Sequence, residues 1–314
     1  EKLAELKDFH QTTFLIERIC GICSFIHSQT YCQCIEEIMG ITVPPRARYL
    51  RTMWAELHRI HSHLLWAGLL ADAFGFENLF MQGMRARELV LDTMEATTGG
   101  RVMLGVCSVG GVRRDLDEAG IKRVLDACDG LERGFDALFP TLAEDYSVKQ
   151  RLVGVGTVSK ADAWARGAVG PVARACGIAE DRRTDGYAAY GELGFKPAIA
   201  SAGDCYARST VRLDEMRESL RLVRAAITAL PPGEIQAPVR GNPDGEVVMR
   251  TEQPRGEVLY YVSGNGTKQL DRLRVRTPTF ANLMPLLAML PGCQLADVPV
   301  IVLSIDPCIS CTER

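Results

Sequence analysis

A large excess of charge of one sign is missing from this sequence. Its 314 residues hold 36 Lys and Arg against 39 Asp and Glu, a formal net charge of -3, so no general attraction draws it to nucleic acid or to an anionic membrane surface. Long apolar runs are missing too. The best stretch, around Leu64 to Phe76, is short and contains Asp72, whereas a spanning helix needs roughly 18 to 20 apolar residues. The chain itself is therefore not expected to cross a membrane. There is no internal repeat, no low-complexity tract and no leader pattern, and with Glu1 in first place and no initiator methionine, further residues are expected in front. Eleven cysteines are an odd number and are not spaced like a small secreted disulfide framework, which favours a reducing compartment with buried or metal-binding thiols.

What is present is an ordinary globular composition, 47% hydrophobic and 24% charged, on a chain long enough to bury a sizeable core. The pattern from Cys20 to about Met39 suits a helix, and Pro44-Pro45 ends it before a second helix over 46–74. There Leu50, Trp54, Leu57, Leu64 and Leu65 recur at roughly helical spacing. Further helices are predicted over 84–97, stopping at Thr98-Gly99-Gly100, and over 118–139, 160–166 and 211–230. Residues 231–245 turn to Pro, Gly, Asn and Asp, a connection. "GEVVMR" and "GEVLYYVSGN" then alternate like strands, with Gly264-Asn265-Gly266 as a turn. The apolar run in "LADVPVIVLSIDPC" is expected to be a buried strand that carries the terminal cysteines inward. The fold class expected is mainly α: a central helical bundle with a smaller α+β portion around 231–280, in one domain over 1–314.

Two cysteine pairs stand near the ends, in "ERICGICSFIH" and "DPCISCTER". On a helix, Cys20, Cys23 and His27 fall at i, i+3 and i+7, on one face. Thiolates select zinc, nickel, iron-sulfur clusters and similar metals. Four cysteines in two pairs are most commonly a structural zinc site. Zinc-ribbon pairs lie about 15 to 20 residues apart, whereas Cys23 and Cys308 are separated by 308 − 23 = 285 positions. Such spacing favours a metal or redox centre over a zinc clasp and leaves both open.

At these residues the sequence resembles a family. Arg18-Ile-Cys20-Gly-Ile-Cys23-Ser-Phe-Ile-His27 matches the R-x-C-G-x-C-x-x-x-H motif of nickel-iron hydrogenase large subunits, and Asp306-Pro-Cys308-Ile-Ser-Cys311-Thr-Glu-Arg314 matches their C-terminal D-P-C-x-x-C-x-x-H/R. The final Arg, where most members have His, is similar to the energy-converting, membrane-associated kinds (Ech, CO-induced and formate-hydrogenlyase), which are related to the quinone-site subunit of respiratory complex I. "TTGGRVM", "VGGVRRDL", "GPVARACGI", "GDCYARSTVRLDEM", "QPRGEVLYYV" and "RVRTPTFANL" extend the resemblance over nearly the whole chain.

The resemblance implies a Ni-Fe(CN)2(CO) centre. Nickel would be held by all four thiolates, Cys20 and Cys308 terminal, Cys23 and Cys311 bridging to the iron. Dihydrogen would be split heterolytically, with Cys308 as first candidate for the base. Arg255, in Pro254-Arg255-Gly256, matches the arginine over the iron, whose donors suit a cyanide. Thr279, in Thr277-Pro278-Thr279, matches the hydroxyl on the other cyanide, with Pro278 beside it, and His27 matches a donor to a bridging sulfur. Arg314 in place of the family His puts in doubt the magnesium-type site that the His helps to form, and no second metal is assigned there. The family's proton-relaying glutamate lies in an N-terminal segment, with strands, that would precede Glu1; Glu17 is a weak substitute and is expected to be a solvated helix carboxylate. Members are in many cases trimmed just after the final His or Arg.

The partners implied are an iron-sulfur small subunit carrying a 4Fe-4S cluster, a ferredoxin-like electron carrier and membrane subunits related to complex I. The chain would be a peripheral subunit on the cytoplasmic face of a membrane-bound complex. The function expected is reversible interconversion of H2 and protons; the alternatives are a complex I-like quinone-site subunit, which has no use for four cysteines, and a zinc-stabilised scaffold. Cys32, Cys34, Cys107, Cys128, Cys176, Cys205 and Cys293 are read as small core residues, and His58, His61 and His63 as packing. Arg85, Arg87, Arg101, Arg113 and Arg114 fit a docking surface and solvated helix faces equally well.

Overall fold

A computed structural model describes residues 1–313, and Arg314 lies outside them. Its axis is a 29-residue helix, Pro45–Ala73, begun by proline at its first turn, where the missing N–H costs nothing. From Leu50 to Leu64 every residue is buried, because neighbours pack around it on several sides: Glu77–Thr98, Cys205–Thr228 and the short Val298–Ser304. Glu118–Glu144 packs on two of these and completes the bundle. Side-chain caps set the starts. Asp117 accepts from Gly120 N–H and Asp204 from Ala207 N–H, both at 2.7 Å.

The second layer is an antiparallel meander of three strands, Asp244–Gln253, Gly256–Asn265 and Leu270–Arg276, packed on the helix Ser24–Met39. In the middle strand Val258, Tyr260 and Val262 point inward, the period-two signal visible in its sequence. Its register places Gln253 opposite Gly256, so the first hairpin turns through Pro254-Arg255. That turn rests on a backbone-to-backbone contact. Gly170 has φ +65°, and a Cβ added there would fall 2.2 Å from Gly256 Cα, so only glycine fits.

The mainly α architecture with one small sheet agrees with the sequence expectation; the differences are local. Cys20 to Cys23 is an irregular turn, and the helix starts at Ser24, so the two cysteines and His27 do not share a helix face. The helices predicted from 84 and 211 begin earlier, at Glu77 and Cys205. The apolar run near the end forms the helix Val298–Ser304, with Pro299 in its first turn, not a strand. Its β-branched residues favour a strand only where a sheet edge accepts them; here the run meets the long helix instead, and Trp66 Nε1 donates to Leu303 O (2.9 Å). Among the described residues no helix is long and apolar enough to cross a membrane.

Candidate metal centre

The two ends of the chain meet. Cys20 Sγ lies 3.4 Å from Cys308 Sγ, and Cys23 Sγ lies 3.7 Å from Cys311 Sγ. The first pair comes from the turn before helix Ser24–Met39, where Ile22 N–H donates to Cys20 Sγ (3.3 Å) and Cys23 occupies the N-cap. The second comes from the turn after Val298–Ser304 and the short helix Ile309–Glu313. Asp306, at φ +54°, reverses the chain between them. Cys20, Cys308 and Cys311 group their sulfurs within 4.8 Å, as do the ligand atoms of Cys23, His27 and Cys311.

All four cysteines are free and buried, and Cys308 alone has measurable exposure, at 8%. The thiols of Cys23, Cys308 and Cys311 hydrogen-bond to the Cys20 sulfur and hold it well below the ordinary thiol range. Burial, followed by the Cys20 charge, pushes Cys23 up, and the other three sulfurs push Cys311 up. The sulfurs by themselves thus favour one negative charge. Four thiolates at these separations require a cation among them, and metal binding is what ionises them together.

Arg255 reaches the site from the first hairpin turn. Its Nε donates to Asp306 O (2.6 Å), one Nη to Asp306 Oδ1 (2.9 Å) and the other to Ser62 Oγ (3.4 Å). Burial opposes its charge, yet the Asp306 carboxylate and the cysteine sulfurs keep it firmly protonated. Each Nη retains a second N–H for an anionic group. Thr279, buried beside Pro278 in the first turn of helix Pro278–Met289, accepts from Cys308 N–H (3.2 Å), leaving its own hydroxyl proton to donate. His27 is fully buried, with Nε2 3.8 Å from Cys311 Sγ and Nδ1 2.6 Å from Tyr260 Oη. Desolvation lowers its ring to about 4, so it is neutral at pH 7. Every residue predicted for the site, Cys20, Cys23, His27, Arg255, Pro278, Thr279, Cys308 and Cys311, is thus brought to one place.

Four neighbours carried no role in the sequence reading. Tyr260 sits behind His27. Asp306, inside the quoted D-P-C motif, clamps Arg255. Thr277 donates to Cys311 O (2.6 Å), and Ser310 Oγ lies 3.2 Å from Cys308 Sγ. Alternation in "GEVLYYVSGN" places Tyr260 on the inner face, but only the tertiary packing points it at His27. Glu17 is not solvated: it is 3% exposed and both carboxylate oxygens accept from Gly105 N–H, at 3.1 and 3.0 Å. Arg101 pairs with Glu88, Asp92 and Glu95, and Arg113 stacks on Phe14.

Residues 73–242 and 237–314 match the family model described as respiratory-chain NADH dehydrogenase, 49 Kd subunit, and residues 1–71 match the nickel-dependent hydrogenase model. The chain is 43% identical over 317 residues to the carbon monoxide-induced hydrogenase of Rhodospirillum rubrum, spanning 100% of this chain and 88% of that protein. It is 39% identical over 326 residues to the membrane-bound hydrogenase subunit alpha of Pyrococcus furiosus, spanning 98% and 76%. One chain of the NADH-quinone oxidoreductase of Sinorhizobium medicae is 33% identical over 352 residues, spanning 100% and 85%. Among solved structures, a chain of the membrane-bound sulfane sulfur reductase, an archaeal respiratory membrane complex, superposes with a TM-score of 0.96 at 31% identity, covering 100% of this chain and 87% of that one. The chain belongs to the family of large subunits of energy-converting, membrane-associated nickel-iron hydrogenases, which is related to the 49-kDa, quinone-site subunit of complex I.

Proposed function

We propose that this chain is the catalytic subunit of an energy-converting nickel-iron hydrogenase that interconverts dihydrogen and protons. The observation that carries the proposal is the convergence of four buried sulfurs from opposite ends of the chain. The donor set fits a Ni-Fe(CN)2(CO) centre: four thiolates supply soft ligands, and Arg255 and Thr279 keep donors free for the anionic cyanides. Cys20, Cys23, Cys308 and Cys311 would hold the centre through their sulfurs. When bound, the centre supplies heterolytic cleavage of dihydrogen and accepts the electrons.

The chain's own residues do the rest. Cys308, the least buried of the four and in contact with Ser310, accepts the proton on its sulfur. Arg255, clamped by Asp306, cannot deprotonate and shields the site from water. The Tyr260 hydroxyl donates to His27 Nδ1, which leaves Nε2–H to orient the Cys311 sulfur. Electrons leave through an iron-sulfur small subunit with a 4Fe-4S cluster toward a ferredoxin-like carrier. Membrane subunits hold the chain as a peripheral part on the cytoplasmic face.

The test is D2/H+ exchange by the purified complex, a reaction that needs no external electron carrier. Exchange is expected in the native complex and its loss in Cys308→Ser; a fully nickel-loaded complex without exchange contradicts the proposal. A complex I-like role is the second reading, favoured by the match of residues 73–314 to the 49 Kd model. It predicts a nickel-free chain in an assembly that still transfers electrons.

A further inference from the structure

The helix Pro278–Met289 is built inside out. It buries Asn282, Pro285 and Met289 on one side, where Asn282 Oδ1 accepts from Val169 N–H (3.0 Å) and its Nδ2 donates to Val169 O (3.2 Å). On the opposite side Phe280, Met284 and Leu287, at i, i+4 and i+7, are 46%, 52% and 59% exposed. A surface helix ordinarily turns its apolar stripe to the core. Large apolar side chains grouped on an outer face are what an interaction site presents. Charge is absent as well: none of the twenty residues from Thr277 to Ala296 is charged. This face adjoins the proposed centre on its least covered side. Thr279, in the first turn of the helix, accepts from Cys308 N–H, and the short helix Ile309–Glu313 packs against it. Cys308 retains exposure where the other three cysteines have none, and Ile309 beside it is 74% exposed.

We propose that the outer face of helix Pro278–Met289, together with Ile309, is the surface on which the iron-sulfur subunit docks. This inference rests on the hydrogenase reading. Electrons released at the centre need an acceptor close by, because tunnelling slows steeply with distance. Among the described residues, every cluster of three or more His, Cys, Asp or Glu side chains placed to hold a metal belongs to the centre itself. The acceptor therefore lies in a partner, and a partner comes nearest on the side of Cys308. The absence of charge decides which partner. A diffusing electron carrier is steered by charge and makes a small contact, whereas a permanent subunit covers an apolar face that resembles a core cut in half. The face fits the subunit that stays, not the carrier that comes and goes.

The experiment uses the intact complex. Leu287 is replaced by the photo-crosslinker p-benzoylphenylalanine, the complex is irradiated, and whatever is joined to this chain is identified by mass spectrometry. A cross-link to the subunit that carries the 4Fe-4S cluster is expected. A cross-link to another subunit, to a ferredoxin-like carrier, to lipid or only within this chain overturns the inference, and so does none at all. Met284→Glu combined with Leu287→Glu puts two charges on the face without touching the centre. It is expected to lower the iron-sulfur subunit retained per chain after gel filtration by about tenfold or more, with the unfolding midpoint of this chain unmoved; native retention overturns the inference. If the double variant does not fold, the cross-link decides, since it is made at a side chain more than half exposed. The infrared bands of the native complex keep the two claims apart. Bands present with a cross-link elsewhere overturn this inference alone, and bands absent end the hydrogenase reading and this inference with it.

Discussion

At the scale of single residues, the site depends on side chains that hold one another. Cys311 is packed against Cys23, His27 and Thr277; Cys311→Ala is expected to leave nickel at background in elemental analysis of the purified complex, while the fold persists by circular dichroism. Tyr260→Phe removes one oxygen and frees the His27 ring. A lost partner of this kind costs about 10- to 100-fold in metal affinity or activity, measured here as nickel retained under chelator challenge.

Buried histidines also make stability depend on pH. The folded His58 ring, at about 4, lies below the 6.5 of an exposed imidazole. Its contribution is therefore fully present above pH 6.5 and is lost as pH falls toward 4. The span is worth about 3 kcal/mol by linkage. Urea unfolding at pH 7, 5 and 4 should show that loss in the native chain and a flatter profile in His58→Gln.

At the scale of elements, the bundle was visible in the sequence because helix periodicity and caps are local. The Pro44-Pro45 stop, Thr98-Gly99-Gly100 and the alternating "GEVLYYVSGN" all correspond to observed boundaries or strands. Two elements were read wrongly because packing decides them. The Cys20–Cys23 segment leaves the helix so that both sulfurs can face Cys308 and Cys311, and Val298–Ser304 is helical despite its β-branched content. The hairpin turn that presents Arg255 depends on Gly170 lying against Gly256. Gly170→Ala would force a Cβ into that backbone; it is expected to destabilise the protein by about 1 to 3 kcal/mol and to reduce nickel loading, because Arg255 moves with the turn. Unchanged denaturation midpoint and metal content would contradict this.

At the scale of the whole molecule, the fold joins the two ends of one chain. The spacing of the two cysteine pairs marked the four sulfurs, whereas Arg255, Thr279 and His27 were named by the resemblance of the motifs around them. Tyr260, Thr277 and Ser310 carry no comparable local signal; their places follow from the sheet register and from the path of the last helices. The Asp306 clamp on Arg255 was hidden in plain view within the D-P-C motif. The buried ion network of Arg174, Asp181, Glu215 and Glu252 ties the helix Cys205–Thr228 to the sheet, and its charged residues are scattered over the sequence without a period to reveal them.

The most direct measurement is infrared absorption of the anaerobically purified complex, with nickel, iron and zinc determined on the same sample. Cyanide and carbon monoxide stretches with nickel at one atom per chain are predicted. Zinc at the four cysteines without those bands would make the site a structural clasp and contradict the hydrogenase proposal.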